Sequence, residues 1–174
     1  MTTQPILESG MTFGPYLEGY CFYIEKSKIY KSIQKDVKIA EFLLLRSSQD
    51  IWIIEAKSST PRPTTKQNFD EFIEEICQKL LHALFLTVAI CLGRHQLASE
   101  EFPEQFKTLD LAIVNFRLVL VINRHRDEWL SPLKENLVKA LRPILKTWAI
   151  SADTSVTVLN DDLARKHGLI LSNH

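Results

Sequence analysis

The sequence predicts an α/β fold in which a mixed sheet carries helices on its faces. Three observations lead there. Two apolar runs with the composition of strands, Val37 to Leu45 and Ile51 to Lys57, are followed by a long segment with a helical period, Gln67 to Leu92. The run FRLVLVIN, Phe116 to Asn123, has the nearly unbroken hydrophobicity of a strand buried on both faces. With 174 residues, 45% of them hydrophobic, the chain can bury one substantial core but hardly two. Residues 1–174 are therefore read as a single domain.

In chain order, Tyr20 to Ile24 is a short aromatic and β-branched run, and Lys28 to Ile33 extends it or forms its return. Val37 to Leu45 is a strand, closed by the polar break Arg46 to Asp50, and Ile51 to Lys57 is its partner. The Pro/Thr/Ser-rich stretch Ser59 to Thr65 reads as a loop. Phe69, Phe72, Ile73, Ile76, Leu80, Leu84 and Val88 then recur at helical spacing, with acidic residues on the other side and in the first turns. Ala98 to Phe106 reads as a loop, and Phe116 to Asn123 as a central strand.

Ser131 followed by Pro132 signals a helix start. Its buried stripe would comprise Leu133, Leu137, Val138, Leu141, Ile144, Leu145 and Trp148, with a bend at Pro143. Ser155 to Leu159 is a last strand, and Asp161 or Asp162 caps a short helix that Gly168 ends. No internal repeat divides the chain.

Composition narrows the function classes. No run reaches the length of a membrane span, no secretory signal is visible, and the three cysteines are widely spaced without a CxxC pair. A cytoplasmic protein with reduced cysteines and no membrane association is expected. Neither a phosphate-binding glycine loop nor a serine-nucleophile elbow occurs. The histidines His95, His167 and His174 share no metal-ligand spacing, and His82 falls at a core edge.

Formal charge is zero, from 21 basic and 21 acidic residues, but the signs are segregated. Lys26 to Lys66 holds nine basic and four acidic residues, and Arg117 to Lys146 seven and three. Together these stretches could form one positive face.

The informative local feature is KIAEFLLL-RSSQ-DIWIIEAK. If Ser47 to Gln49 forms a three-residue loop, paired residue numbers sum to 96, and Glu41 lies opposite Glu55. Lys57, two residues on, shares that face. A four-residue turn would shift the register and set Phe42 opposite Glu55. Two opposed carboxylates in apolar strands repel each other unless a cation joins them or one holds a proton. A hard divalent ion, Mg²⁺ or Mn²⁺, suits their oxygens, and the Ala56 carbonyl could add an uncharged ligand. The alternative is a solvated sheet edge where each acid meets a surface lysine.

With its Glu41, Glu55-Ala56-Lys57 spacing, this hairpin resembles the active-site hairpin of the PD-(D/E)xK nuclease superfamily, the restriction-endonuclease-like fold. The resemblance covers about residues 16–124, with 125–174 as a C-terminal elaboration on the same domain. It implies a metal-dependent nuclease that hydrolyses phosphodiester bonds, with DNA the expected substrate, in a prokaryotic or phage DNA-processing or defence system. Glu41 then matches the first metal-binding acid, usually Asp; Glu55 matches the second acid and Lys57 the lysine. Glu18 or Glu25 would supply an auxiliary acid, and Gln78 or Lys79 on the long helix could reach the site, although a solvent-facing role is the plainer reading. The family's first helix would have to precede Tyr20, where Pro5 to Glu8 suits it poorly.

Around that centre, Ser58, Ser59, Arg62 and Lys66 follow the lysine and could meet phosphate oxygens, as could the cluster of Arg124, His125 and Arg126. Trp129 could stack on a base, whereas alternation turns Trp52 to the face opposite Glu55. The competing reading is a catalytically degenerate member acting as an assembly or regulatory subunit. A homodimer or a protein partner is compatible with either.

Overall fold

The computed structural model describes residues 1–171; Ser172 to His174 lie outside the described residues. The fold is a mixed α/β arrangement built on a five-stranded sheet flanked by helices. Strands β1 (Ile6–Glu8) and β2 (Met11–Phe13) form a separate hairpin. Its turn residues Ser9 and Gly10 both have positive φ, the pattern of a two-residue type I′ turn. Strand β3 (Cys21–Phe22) leads through a 3-10 turn, Ile24–Lys26, into helix α1 (Lys28–Ile33). Lys28 to Ile33 is thus a helix and not a strand. The Ser27 hydroxyl accepts the Tyr30 N–H and caps it, a local signal stronger than the segment's ambiguous apolar spacing.

The central hairpin is β4 (Phe42–Ser47) and β5 (Asp50–Lys57). Strand β4 starts five residues later than Val37, because Val37 to Glu41 approaches the sheet as a loop. The pairs Phe42–Ile54, Leu43–Ile53, Leu44–Trp52 and Leu45–Ile51 all sum to 96, whereas Ser47 pairs with Asp50. The connection is a two-residue turn, Ser48-Gln49, and a bulge at Arg46 absorbs the extra residue. Both inner strands therefore keep the expected register although the turn differs.

Helix α2 (Lys66–Cys91) crosses over to β6 (Asn115–Ile122), which runs parallel to β5. Between them, Ala98 to Phe106 holds two short helices, α3 (Ala98–Glu101) and α4 (Glu104–Lys107), where the sequence suggested a loop. After a 3-10 turn, Asp127–Trp129, helix α5 (Leu130–Thr147) leads through α6 (Ala152–Ser155) to β7 (Val156–Asn160) and α7 (Asp161–Lys166). The sheet order is β3-β4-β5-β6-β7, antiparallel across the first two pairings and parallel across the last two.

Helix caps depart from expectation in detail. The helix of Ser131 already begins at Leu130, so Ser131 sits inside the first turn and caps nothing. Asn160, one residue before Asp161, caps α7 by accepting the Leu163 N–H.

The sheet separates two cores. Leu43, Leu45, Ile51, Ile53, Leu118 and Leu120 face α2 and α5; Phe42, Leu44, Trp52, Ile54 and Val119 face the β1–β2 hairpin and α7. Trp52 is on the second face, as alternation required, with the guanidinium groups of Arg46 and Arg117 at 5.0 and 5.3 Å from its ring. On α5, Leu133, Leu137, Val138, Leu141 and Leu145 are buried, but Ile144 and, just past the helix end, Trp148 are exposed. Trp148 instead stacks on exposed Phe85 of α2, outside the core. No described helix is long and apolar enough to cross a membrane.

Candidate metal centre and adjoining cavity

The odd-numbered residues of β5 face α2, which places Glu55 and Lys57 on the same side as Ile51 and Ile53. Glu41 immediately precedes β4, and its N–H donates to the Ile54 carbonyl at 3.0 Å. The strand pairs end at Phe42–Ile54 and the Glu41–Ile54 bond is one residue off that register, so Glu41 and Glu55 are not a sheet pair. The charge of Glu55 still acts on the Glu41 carboxyl. Both acids are buried: Glu55 is 0% exposed and Glu41 6%.

Glu41 meets two acids from earlier in the chain. The carboxylates of Glu8, Glu25 and Glu41 each place an oxygen within 4.8 Å of the others. Glu8 ends β1 and accepts a hydrogen bond from the Tyr23 hydroxyl. Glu25 sits in the 3-10 turn, where its N–H donates to the Glu41 carbonyl at 3.2 Å. Its own carboxylate has exposed Lys26 at 3.3 Å. Burial first, then the charges of Glu55, Glu25 and Glu8, push the Glu41 carboxyl up to about 8. Glu41 Oε2 and Glu55 Oε2 are buried without a hydrogen-bond partner.

Glu55 is held from the helix side. Its Oε1 accepts a bond from Lys79 Nζ at 2.9 Å, and Lys57 Nζ stands 3.5 Å away. Lys57 also donates to Glu75 Oε1 at 2.9 Å. Burial raises the Glu55 carboxyl, and the two ammonium groups oppose that rise. The same contact holds Glu75 below the usual carboxylate range. Lys79 thus reaches inward rather than to solvent, while Gln78 makes only an exposed bond to Glu74.

The Ala56 carbonyl points, like that of Ile54, toward the β4 side, but β4 has ended there. Ser9 Oγ fills the position and donates to it at 3.0 Å. A carbonyl keeps a second lone pair, so this bond leaves one acceptor site. The carboxylates that come together as candidate cation ligands are Glu8, Glu25 and Glu41; Glu55 is not part of that group. Sequence reasoning weighed Glu25 but missed Glu8 and Tyr23, which nothing local marks. Glu18 is exposed, and its backbone N–H bonds to Met1.

Beyond the carboxyl ends of β5 and β6, where open α/β sheets place their ligand crevices, lies a cavity of about 770 Å³. Ser58, Ser59 and Arg62 line one side, and Arg124, His125 and Arg126 another. Lys66, at the start of α2, is exposed and outside the wall. The cavity loop is pinned: Asn160 Nδ2 donates to the His125 carbonyl and to Asp127, and Asp161 accepts the Arg124 N–H at 2.8 Å. Asn123 Nδ2 donates to the Ser9 carbonyl at 3.1 Å. Ser9 thus touches both the cavity loop and the Ala56 carbonyl.

No protein-family model, curated protein or solved structure matches the chain.

Proposed function

We propose that the protein is a metal-dependent nuclease of the PD-(D/E)xK type that hydrolyses phosphodiester bonds in nucleic acid, with DNA the expected substrate. The observation that carries this reading is the burial of Glu41 and Glu55 with one unpartnered oxygen each, Glu41 clustered with Glu8 and Glu25 and Glu55 next to Lys57. Buried carboxylates persist when paired, protonated or metal-bound. Lys79 and Lys57 compensate Glu55, but nothing cationic of that kind meets Glu41 directly among the described residues. A divalent cation fits this donor set: anionic oxygens plus a carbonyl, without thiolate or imidazole, suit Mg²⁺ or Mn²⁺.

Glu41, Glu55 and the Ala56 carbonyl would hold the ion, with Glu8 or Glu25 completing the oxygen donors. When bound, the ion would polarise the phosphodiester and lower the pKa of a bound water. The chain's own residues do the rest. Lys79 favours the ionised form of Glu55 against its burial. The Lys57 ammonium orients the attacking water and offsets charge that builds on the phosphate. The order of elements, a meander and then a crossover helix to a parallel strand, supports the same family.

One observation favours a second reading, a degenerate member acting as an assembly or regulatory subunit. Lys57 is tied to Glu75, and Glu55 Oε1 is taken by Lys79, so both reactive groups have partners inside the protein. The exposed Phe85–Trp148 stack would then serve a partner.

Cleavage of linear DNA and RNA in Mn²⁺ or Mg²⁺ separates the two. A nuclease loses activity with chelator and after Glu55→Ala or Lys57→Ala while the circular-dichroism spectrum stays native. A regulatory subunit cleaves neither substrate in either metal.

A further inference from the structure

We infer that the cavity beyond β5 and β6 takes one unstacked nucleotide, so that the substrate is single-stranded nucleic acid or an unpaired end rather than continuous duplex. This rests on the nuclease reading for its setting but on separate observations for its content. The first is shape and size: about 770 Å³ lies within the range of small-ligand pockets and exceeds what a phosphate alone would need. The second is an aromatic platform. Trp129 lines the cavity yet remains 49% exposed, unlike an indole used for core packing. The Arg126 guanidinium lies 4.9 Å from its ring centroid, and the His125 ring meets it edge-on at 5.4 Å. Phe69, Leu133, the loop prolines Pro61 and Pro63, and Pro132 of α5 add apolar wall.

Charge is the third observation. The lining contains three arginines and no carboxylate residue. Arg62 and Arg124 make no side-chain ion pair among the described residues, and Arg126 has only an exposed pairing with Glu128 at 3.7 Å. The first turns of α2 and α5, which carry Phe69 and Leu133, add the positive ends of two long helices. An apolar slot with a π-face and a cationic rim matches a ligand that is planar, aromatic and anionic, namely a nucleotide. Duplex would offer this rim its phosphates, but its bases, stacked on each other, could not reach Trp129. Ser58 and Ser59 of the lining directly follow Lys57, so a nucleotide seated here would lie next to the strand end that carries that lysine.

The test measures binding in EDTA, where cleavage plays no part. Fluorescein-labelled oligo(dT) and oligo(U) octamers and a blunt duplex of equal length are titrated by anisotropy against wild type, Trp129→Ala, Trp129→Phe and Arg124→Ala. The expected result is binding of at least one single strand roughly tenfold or more tighter than duplex, weakened about tenfold by Trp129→Ala and largely kept by Trp129→Phe. Arg124→Ala should reduce the salt dependence by about one phosphate contact. Preference for deoxy or ribo strands identifies the source of the nucleotide; either one, bound through Trp129, supports the inference. Duplex bound as tightly as both strands, or single-strand binding indifferent to Trp129→Ala, overturns it. Trp129-dependent binding without metal-dependent cleavage would instead count against the nuclease reading alone, and cleavage indifferent to Trp129 against this inference alone.

Discussion

Lys79 Nζ meets Glu55 Oε1 at 2.9 Å, joining the middle of the crossover helix to a strand carboxylate that has no exposure at all. The two residues are 24 apart in sequence, and the bond closes the space between α2 and β5. Lys79 keeps 18% side-chain exposure, so the pair is shielded at one end and wet at the other.

Removing the ammonium should expose the cost of that arrangement. Lys79→Met leaves Glu55 with Lys57 alone, at 3.5 Å, and drives its already raised carboxyl further up. Breaking a buried pair by deleting one partner costs on the order of 3 kcal/mol. The loss should be largest near pH 8, where Glu55 must be ionised or take a proton against the solution, and smallest near pH 5. Urea unfolding at both pH values checks it. A cost equal at the two values would mean that Lys79 acts through packing and not through charge.

Glu41 sets a second pH dependence, in the opposite sense to an ordinary salt-bridged acid. Its carboxyl stands at about 8 when folded against an ordinary value of 4.5. The folded state therefore binds the proton more tightly than the unfolded chain does. That contribution is fully present below about pH 4.5 and is lost as pH climbs toward 8, by up to about 1.4 kcal/mol per unit. Glu41→Gln should remove the slope and melt higher than wild type at pH 8 in chelator. Thermal melts across this range read the effect directly; parallel curves for the two proteins would contradict it.

How far the sequence disclosed this site depends on which interactions are local. The register of β4 and β5 was legible because a one-residue slip would turn Leu43, Leu45, Ile51 and Ile53 away from the α2 core. The turn was not, since a bulge at Arg46 makes a two-residue connection equivalent, for the inner pairs, to a three-residue loop. Long, strongly periodic α2 was legible to within a residue at each end. Short α1 was not: six residues carry too little pattern, and its Ser27 cap decides. Glu8 was hidden for another reason. It comes to Glu41 only because the Ser9-Gly10 turn folds a separate hairpin against the sheet, a contact that no spacing encodes.

That turn gives a third expectation. Gly10 has φ +76°, and a Cβ there would lie 2.8 Å from Asn123 Nδ2, the atom that bonds to the Ser9 carbonyl. Gly10→Ala combines a disfavoured backbone with displacement of Asn123. It should cost about 1–2 kcal/mol and should weaken the link between acid cluster and cavity loop. Ser9→Ala, which removes only the 3.0 Å bond to the Ala56 carbonyl, should cost about 1 kcal/mol or less. Chemical denaturation of the two variants ranks them; Ser9→Ala as the more damaging would reverse this assignment of the strain.

Metal binding should release protons, and this follows from the same raised carboxyl. At pH 7 Glu41 is largely protonated, because about 8 lies above the solution value. A divalent ion takes the ionised form, so its arrival must expel that proton. Calorimetric titration of Mn²⁺ in two buffers of different ionisation enthalpy should then give different apparent heats, with up to about one proton released per ion at pH 7 and fewer at pH 9. Apparent affinity should rise with pH up to about 8 and level off above it. Glu41→Gln should abolish both the buffer dependence and most of the binding. Glu8→Gln, which removes one of the three clustered oxygens but leaves Glu41 and Glu25 in place, should weaken binding less. Equal heats in the two buffers, with binding intact, would place the ion on acids that are already ionised and away from Glu41.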